Sequence, residues 1–450
     1  MSAQSLGEQT VDLLGRLVRL GCVNDLTADS GGEERAADLL EEFFEGLPVS
    51  IERITPHPGR TSLVVTVEGA DPLSAGTPLT LLGHTDVVPV DESKWTRDPF
   101  GAQIEDDVMW GRGTVDMLHL TAAMAVVTRE VARRAQEGAP PARSLVFVAA
   151  ADEEARGGLG VPWIGEKRPD ALLWDAALSE MGGAHIRGRR GGDSVVVVVG
   201  EKGAAQRRLH IRGDAGHGSV PLGRKSAVER LAQVSAALSS ARWPTATDEV
   251  WASFVRAFEF DETTETSLIN GTYEGDYSEF ADLAAFAHAI SHVTVAQTVA
   301  RSGGPINVMP SHATLELDIR TLPGIDDDDV DAAIAAALGD LAEHVTIERL
   351  LSEPATASSI DTNLYRVIEA ALKRRYPGAR VVPVLMPGGT DLRVARRRGG
   401  IGYGFGAYDS GASLGHVYSQ LHAHDEHIAL QDVRATAEVL CEVATTYLDA

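Results

Sequence analysis

An α/β body interrupted by a smaller α+β unit is the fold class that this sequence predicts. Three observations carry the prediction. The 450 residues exceed what one hydrophobic core comfortably holds. Helix and strand patterns alternate up to residue 202 and return after residue 352, as expected of helices layered on a sheet. Between those limits the pattern changes to two helices set among three strands, which suits a small α+β unit.

The first helix is predicted over 9–20, where Val11, Leu14, Leu17, Val18 and Leu20 recur at roughly helical spacing. A second helix covers 33–47, followed by strands at 62–68 and 79–88, a helix at 121–136 and a short apolar strand at 144–150. The insertion reads as a strand at 204–212, a glycine-rich turn, a helix at 227–239, a strand at 313–320, a helix at 330–341 and a strand at 345–350. The acidic run 326–329 is read as a cap for the helix after it, not as a calcium loop. The stretch 243–304 is rich in aromatic and acidic residues and poorly patterned. A helix at 364–375, strands at 381–385 and 400–406 and a closing helix at 430–448 restore the first style. The body is therefore drawn as 1–202 plus 353–450, and the insertion as 203–352.

Composition narrows the function. Lys and Arg number 40 against 65 Asp and Glu, a formal net charge of -25. Nucleic acid and anionic membranes demand a basic surface, so neither is expected as a partner. A few local arginines can still hold an anionic small molecule. The two cysteines, Cys22 and Cys441, indicate no disulfide framework and exclude a cysteine-based zinc site. No run approaches a membrane span, and the first segment reads as an amphipathic helix, so the expected location is the cytoplasm.

Five segments carry chemistry. Gly83-His84-Thr85-Asp86 ends an apolar strand, where His84 and Asp86 share a side and Asp86 can accept the second ring N–H of a metal-bound His84. Read alone, His84 is more readily a surface or satisfied core histidine than a ligand. Asp116 follows the glycine-rich turn 111–113 and reads alone as a helix N-cap. Asp152-Glu153-Glu154 places three adjacent carboxylates at a strand end, which repel unless cations compensate or the loop is solvated. Ser179-Glu180-Met181-Gly182-Gly183 and His422-Ala423-His424-Asp425-Glu426 each fit an exposed loop as well as a ligand segment. Together they supply histidines and carboxylates without thiolate, the mixture that suits a catalytic zinc or a related divalent ion.

In this order the five segments resemble the M20 family of metallopeptidases, and the likeness runs from His84 to Glu426. The resemblance implies a zinc-exopeptidase-like domain, with a mixed central sheet flanked by helices, interrupted by a lid or dimerisation domain. It implies a pair of zinc ions per chain, with cobalt or manganese as possible substitutes. His84 and Glu180 would bind one ion, Glu154 and His422 the other, and Asp116 would bridge them. The spacing before Asp425-Glu426 favours His422 over His424. Glu153 would be the general base, Asp86 would orient His84, and the Asp116–Met117 peptide bond is expected to be cis. In the lid, His217 of Gly213-Asp214-Ala215-Gly216-His217-Gly218-Ser219 resembles the histidine that steadies the oxyanion, often in the partner subunit. Asn307 and Arg320 resemble the groups that bind the substrate carboxylate, and Gly389 and Thr390 the loop that meets the same end. Without the family, His217 and Arg320 read as exposed loop and surface charges.

The chain departs from the family where Leu118 and His119 stand in place of a common lysine, and the stretch 243–304 is longer than in compact members. The implied reaction is hydrolysis of an amide beside a free carboxylate, in an N-acyl amino acid or a dipeptide. A carbamoyl or other non-peptide amide on the same metals, or a non-catalytic binding module, is the alternative.

Overall fold

The computed structural model describes residues 5–70 and 77–449. Its centre is a ten-stranded mixed sheet. Leu79–His84 lies between Leu145–Ala150 and Ala176–Ser179, parallel to both, and Ile401–Gly404 continues the parallel set. Ser50–His57 and Arg60–Val67 add antiparallel strands at one side, and Asp193–Glu201 pairs in parallel with Arg380–Met386 at the other.

The strand sequences explain the layering. In Leu145–Ala150 every residue is buried, because Leu145, Phe147 and Ala149 enter the main core while Val146, Val148 and Ala150 enter a second core on the opposite face. A strand buried on both faces reads as a continuous apolar run. The helices Leu6–Leu20, Leu118–Gln136 and Leu430–Leu448 pack on one another and supply the main core. Val161 and Ile164, from the Val161–Lys167 helix, close the second core. Cys22 and Cys441 are both free and buried. Among the described residues no helix is long and apolar enough to cross a membrane.

A second, antiparallel sheet takes all of its strands from 203–349. Its longest strand, His312–Thr321, buries alternate residues Ala313, Leu315, Leu317 and Ile319 under the Ala227–Ser240 helix. That helix starts with a capping box between Ser226 and Glu229. The acidic run caps as expected: the Asp326 carboxylate accepts from the amides of Asp328 and Asp329.

The stretch without clear pattern is ordered. It holds the helices Glu249–Ala257, Glu262–Ile269 and Ala284–Ser291, followed by the strand Thr294–Ser302. Its helices are short and gather around an aromatic cluster of Trp251, Phe254, Phe258, Phe260, Phe280 and Phe286. A cluster assembled from several short pieces leaves no long period in the sequence. The Glu249–Ala257 helix packs on the Arg380–Met386 strand of the central sheet, so this part of the insertion leans on the body. Phe254 is fully buried at the middle of the cluster. Phe254→Ala is expected to lower unfolding stability by about 3–5 kcal/mol, measured by urea denaturation.

Candidate active site

The carboxyl ends of the parallel strands put the predicted groups at one edge. His84 ends its strand, the 152–154 turn follows Ala150, and Glu180 follows Ser179. A crevice outside the carboxyl ends of parallel strands is where α/β sheets place their ligands. Here it is a cavity of about 300 Å³ lined by Asp116, Glu153, Glu154, Glu180 and His422, among others.

Asp116 stands at the middle. One of its oxygens is 3.3 Å from His84 Nε2, and the other is 3.4 Å from His422 Nε2. His84 Nε2 is also 3.8 Å from Glu180, and His422 Nε2 is 3.2 Å from Glu154. Two overlapping groups, His84–Asp116–Glu154 and His84–Glu153–Glu180, hold their donor atoms within 4.8 Å of one another. Both histidines of the segment are exposed, but it is His422 that meets these carboxylates.

The surroundings hold each group in place. Glu426 is fully buried, and its carboxylate accepts from Arg112 and from the amides of Gly113, Val115 and Asp116. That grip shapes the glycine-rich turn before the cis Asp116–Met117 bond. Asp86 accepts from the amides of Glu153 and Glu154 and from Asn24 Nδ2. His84 Nδ1 lies 2.9 Å from the backbone carbonyl of Asp86, whereas the Asp86 carboxylate is 3.6 Å away. Asp86 thus meets the ring through its main chain and spends its side chain on the 153–154 turn. Behind that turn Asp152 pairs with the fully buried Arg60, which also lies 3.3 Å from Glu33. After Glu180 the chain passes so close to Gly406 that a side chain at Gly183, where φ is +89°, would strike its backbone. The Gly-Gly pair answers that approach.

Electrostatics at the edge are out of balance. Burial and the Asp116 charge push Glu180 up to about 8 and Glu154 up to about 7. Burial, then the Glu180 charge, raises Glu153 well above the carboxylate range. Asp116 goes the other way: against its burial, hydrogen bonds from His422 and His84 hold it far below. Hydrogen bonds to Asp116 and Glu154 lift His422 to about 10. One buried oxygen of Glu154 has no hydrogen-bond partner. Imidazole and carboxylate donors, an orphaned anionic oxygen and crowded negative charge together fit divalent cations.

The sequence profile of peptidase family M20/M25/M40 matches residues 80–446. The chain belongs to this family. It is a metallopeptidase-type hydrolase, and it is 27% identical over 395 residues to the probable carboxypeptidase S-like 2 of Dictyostelium discoideum, covering 83% of this chain and 74% of that one. Its fold matches an M20 metallo-carboxypeptidase from Sulfolobus solfataricus with a TM-score of 0.69, at 19% identity over 98% of this chain and 99% of the other. A dinuclear metal-binding M20 peptidase from Bacillus subtilis matches with a TM-score of 0.61, at 14% identity over 98% of each chain.

The remaining predicted groups of this M20 chain fall in two places. Gly389 and Thr390 line the cavity, and the amide and hydroxyl of Thr390 both donate to buried Glu201 at 2.7 Å. His217 and Asn307 meet at the tip of the insertion, where Gly216–His217 pairs with Val308–Met309 and the Gly218 amide donates to Asn307. Arg320 lies on the second sheet with its guanidinium on Asp318. None of these three lines the cavity of its own chain. His119, at the departure from the family, is buried below Asp116, and burial pushes its imidazole down to about 4.

Sequence reading missed Glu426, Asn24, Arg60 and Glu201 as supports. Glu426 alone had a signal, its place four residues after His422. With Glu154 raised to about 7 and Glu180 to about 8, both groups are partly protonated near neutral pH when no cation is bound. Binding of a divalent ion is therefore expected to release protons, from Glu154 and Glu180 up to about pH 8 and from His422 up to about pH 10. Calorimetry in buffers of different ionisation enthalpy measures it.

Proposed function

We propose that this chain is a two-metal hydrolase that cleaves an amide bond beside a free carboxylate, in an N-acyl amino acid or a dipeptide, with Glu153 as general base. The observation that supports it is the division around Asp116, whose two oxygens face His84 with Glu180 on one side and His422 with Glu154 on the other. Such a division suits a carboxylate shared by a pair of ions. Zinc is the expected ion, and cobalt or manganese fits the same donors. The carboxypeptidase description of the Dictyostelium relative agrees with a substrate that carries a free carboxylate.

Ions held by His84, Asp116, Glu154, Glu180 and His422 would supply Lewis acidity to the amide carbonyl and lower the pKa of the attacking water toward ~7. Glu153 takes the proton of that water and passes it to the leaving nitrogen. His217 donates to the oxyanion. The Ser219 amide donates to His217 Nδ1, which leaves the ring proton on Nε2, the tautomer that this role requires. Asn307 and Arg320 hold the substrate carboxylate, Arg320 in a bidentate manner once it leaves Asp318. Gly389 and Thr390 border the same end.

Because His217 and Asn307 sit apart from their own cavity, we place them at the site of a second copy in a homodimer joined through the insertion. A cytoplasmic location belongs to the same proposal, since free, buried thiols suit a reducing compartment.

Elemental analysis is expected to find about two ions per chain, the number a bridged pair requires. Glu153→Ala should keep the metal and lose at least ~10²-fold in kcat on N-acyl amino acids and dipeptides. A chain that takes up no metal on reconstitution would sink the reading. His217→Ala should cost roughly 10²–10³ in kcat. Mixing it with Glu153→Ala should restore activity that neither shows alone, and no recovery on mixing places His217 in its own chain's site.

A further inference from the structure

Asp86 holds the front of the Glu153 turn through the amides of Glu153 and Glu154. The back of the same turn needs a hold of its own. Its backbone is left-handed at Arg156, where φ is +69°, and at Gly157, where φ is +67°. A residue other than glycine takes that conformation only at a cost. The Arg156 amide donates to the carbonyl of Glu153, so a displaced Arg156 carries the base with it. The carbonyl of Arg156 in turn accepts from Nη2 of Arg393 at 3.0 Å.

Arg393 comes from a remote part of the chain. It lies in the helix Leu392–Arg397, three residues after Thr390, and is only 7% exposed. Its Nη1 donates to the Thr390 carbonyl at 2.8 Å while its Nη2 reaches Arg156. One guanidinium thus spans two segments that border the cavity, the Glu153 turn and the Gly388–Thr390 loop. The Thr390 end is itself anchored, because its amide and hydroxyl donate to Glu201 at the end of the strand Asp193–Glu201. The two segments also approach each other beside the bridge, where a side chain at Gly157 would begin 3.4 Å from the buried Asp391 carboxylate. A planar fork of donors reaches two carbonyls at a fixed spacing, which a point donor such as an ammonium does not.

We infer that Arg393 is a positioning residue for the reaction: by bridging Arg156 and Thr390 it sets the distance between the general base and the loop that borders the substrate carboxylate. It acts through those two segments and does not itself line the cavity. The roles of Glu153 and of the loop rest on the hydrolase reading above, whereas the bridge is independent of turnover.

The test compares the wild type with Arg393→Lys, which keeps the charge, and Arg393→Gln, which removes it; both lose the fork. Steady-state kinetics on N-acyl amino acids and dipeptides, per metal-loaded chain, are paired with hydrogen exchange of the 153–160 and 386–391 amides. Near-ultraviolet circular dichroism checks that the fold is kept, and Arg393→Lys alone carries the result if Arg393→Gln does not fold. Both variants are expected to keep their metal and to lose about 10²-fold in kcat, the cost of a group misplaced by about 1 Å. Both segments should exchange faster, while the strand Leu145–Ala150 stays as protected as in the wild type. Wild-type kcat in Arg393→Lys, a loss confined to KM, or a lower kcat with unchanged exchange would overturn the inference. Faster exchange in the variants with no turnover by the wild type keeps the bridge and discards the hydrolase. Turnover by the wild type with kcat and exchange unchanged in the variants does the reverse.

Discussion

Four carboxyl groups that repel one another share one edge of a sheet, and the structure around them is arranged to keep them there. The means is a second row of anions behind the first, each satisfied by main-chain donors. Asp86 accepts from the amides of Glu153 and Glu154, and Glu426 accepts from those of Gly113, Val115 and Asp116. Hydrogen bonds to an ionised acceptor are the stronger kind, and several on one carboxylate offset the loss of water. Arg112 and Arg60 bring buried positive charge to the same back row. The front row faces the cavity with only His84 and His422 beside it, and so crowded a set of carboxyl groups suits the uptake of cations.

The topology makes this possible. Three neighbouring parallel strands end at the same level, so His84, the 152–154 turn and Glu180 arrive together although they are far apart in the chain. The Asp116 turn and His422 come from connections, and Glu426 ties the two segments to each other. The Asp116 loop and the C-terminal segment are therefore one unit. The insertion plays two parts: it carries Arg320 on its five-stranded sheet and His217 and Asn307 at a separate two-stranded ribbon, while its aromatic stretch packs Phe286 against Tyr418.

Much of this was legible in the sequence. The helices at 9–20, 121–136 and 430–448 appear within a few residues of where apolar spacing puts them, because each buries a face or more in one large core. The strand Asp193–Glu201 escaped notice although it contains an unbroken valine run, and the helices of 249–291 escaped because their apolar residues serve a local cluster. The site residues were recognised as types at strand ends. Their supports were not, since Asn24, Arg60 and Glu201 are single polar residues whose purpose depends on what lies across the fold.

The sequence by itself determined the order of segments, the alternation that makes an α/β body, the donor chemistry without thiolate and the family. Those follow from local periodicity and residue type, which need no knowledge of distant contacts. Only the tertiary structure decided that Asp86 meets His84 through its carbonyl and holds the 153–154 turn with its carboxylate. It likewise decided that the aromatic stretch packs against Tyr418 through Phe286. These depend on ångström-scale distances between residues remote in the chain, and such distances exist only once the core has packed.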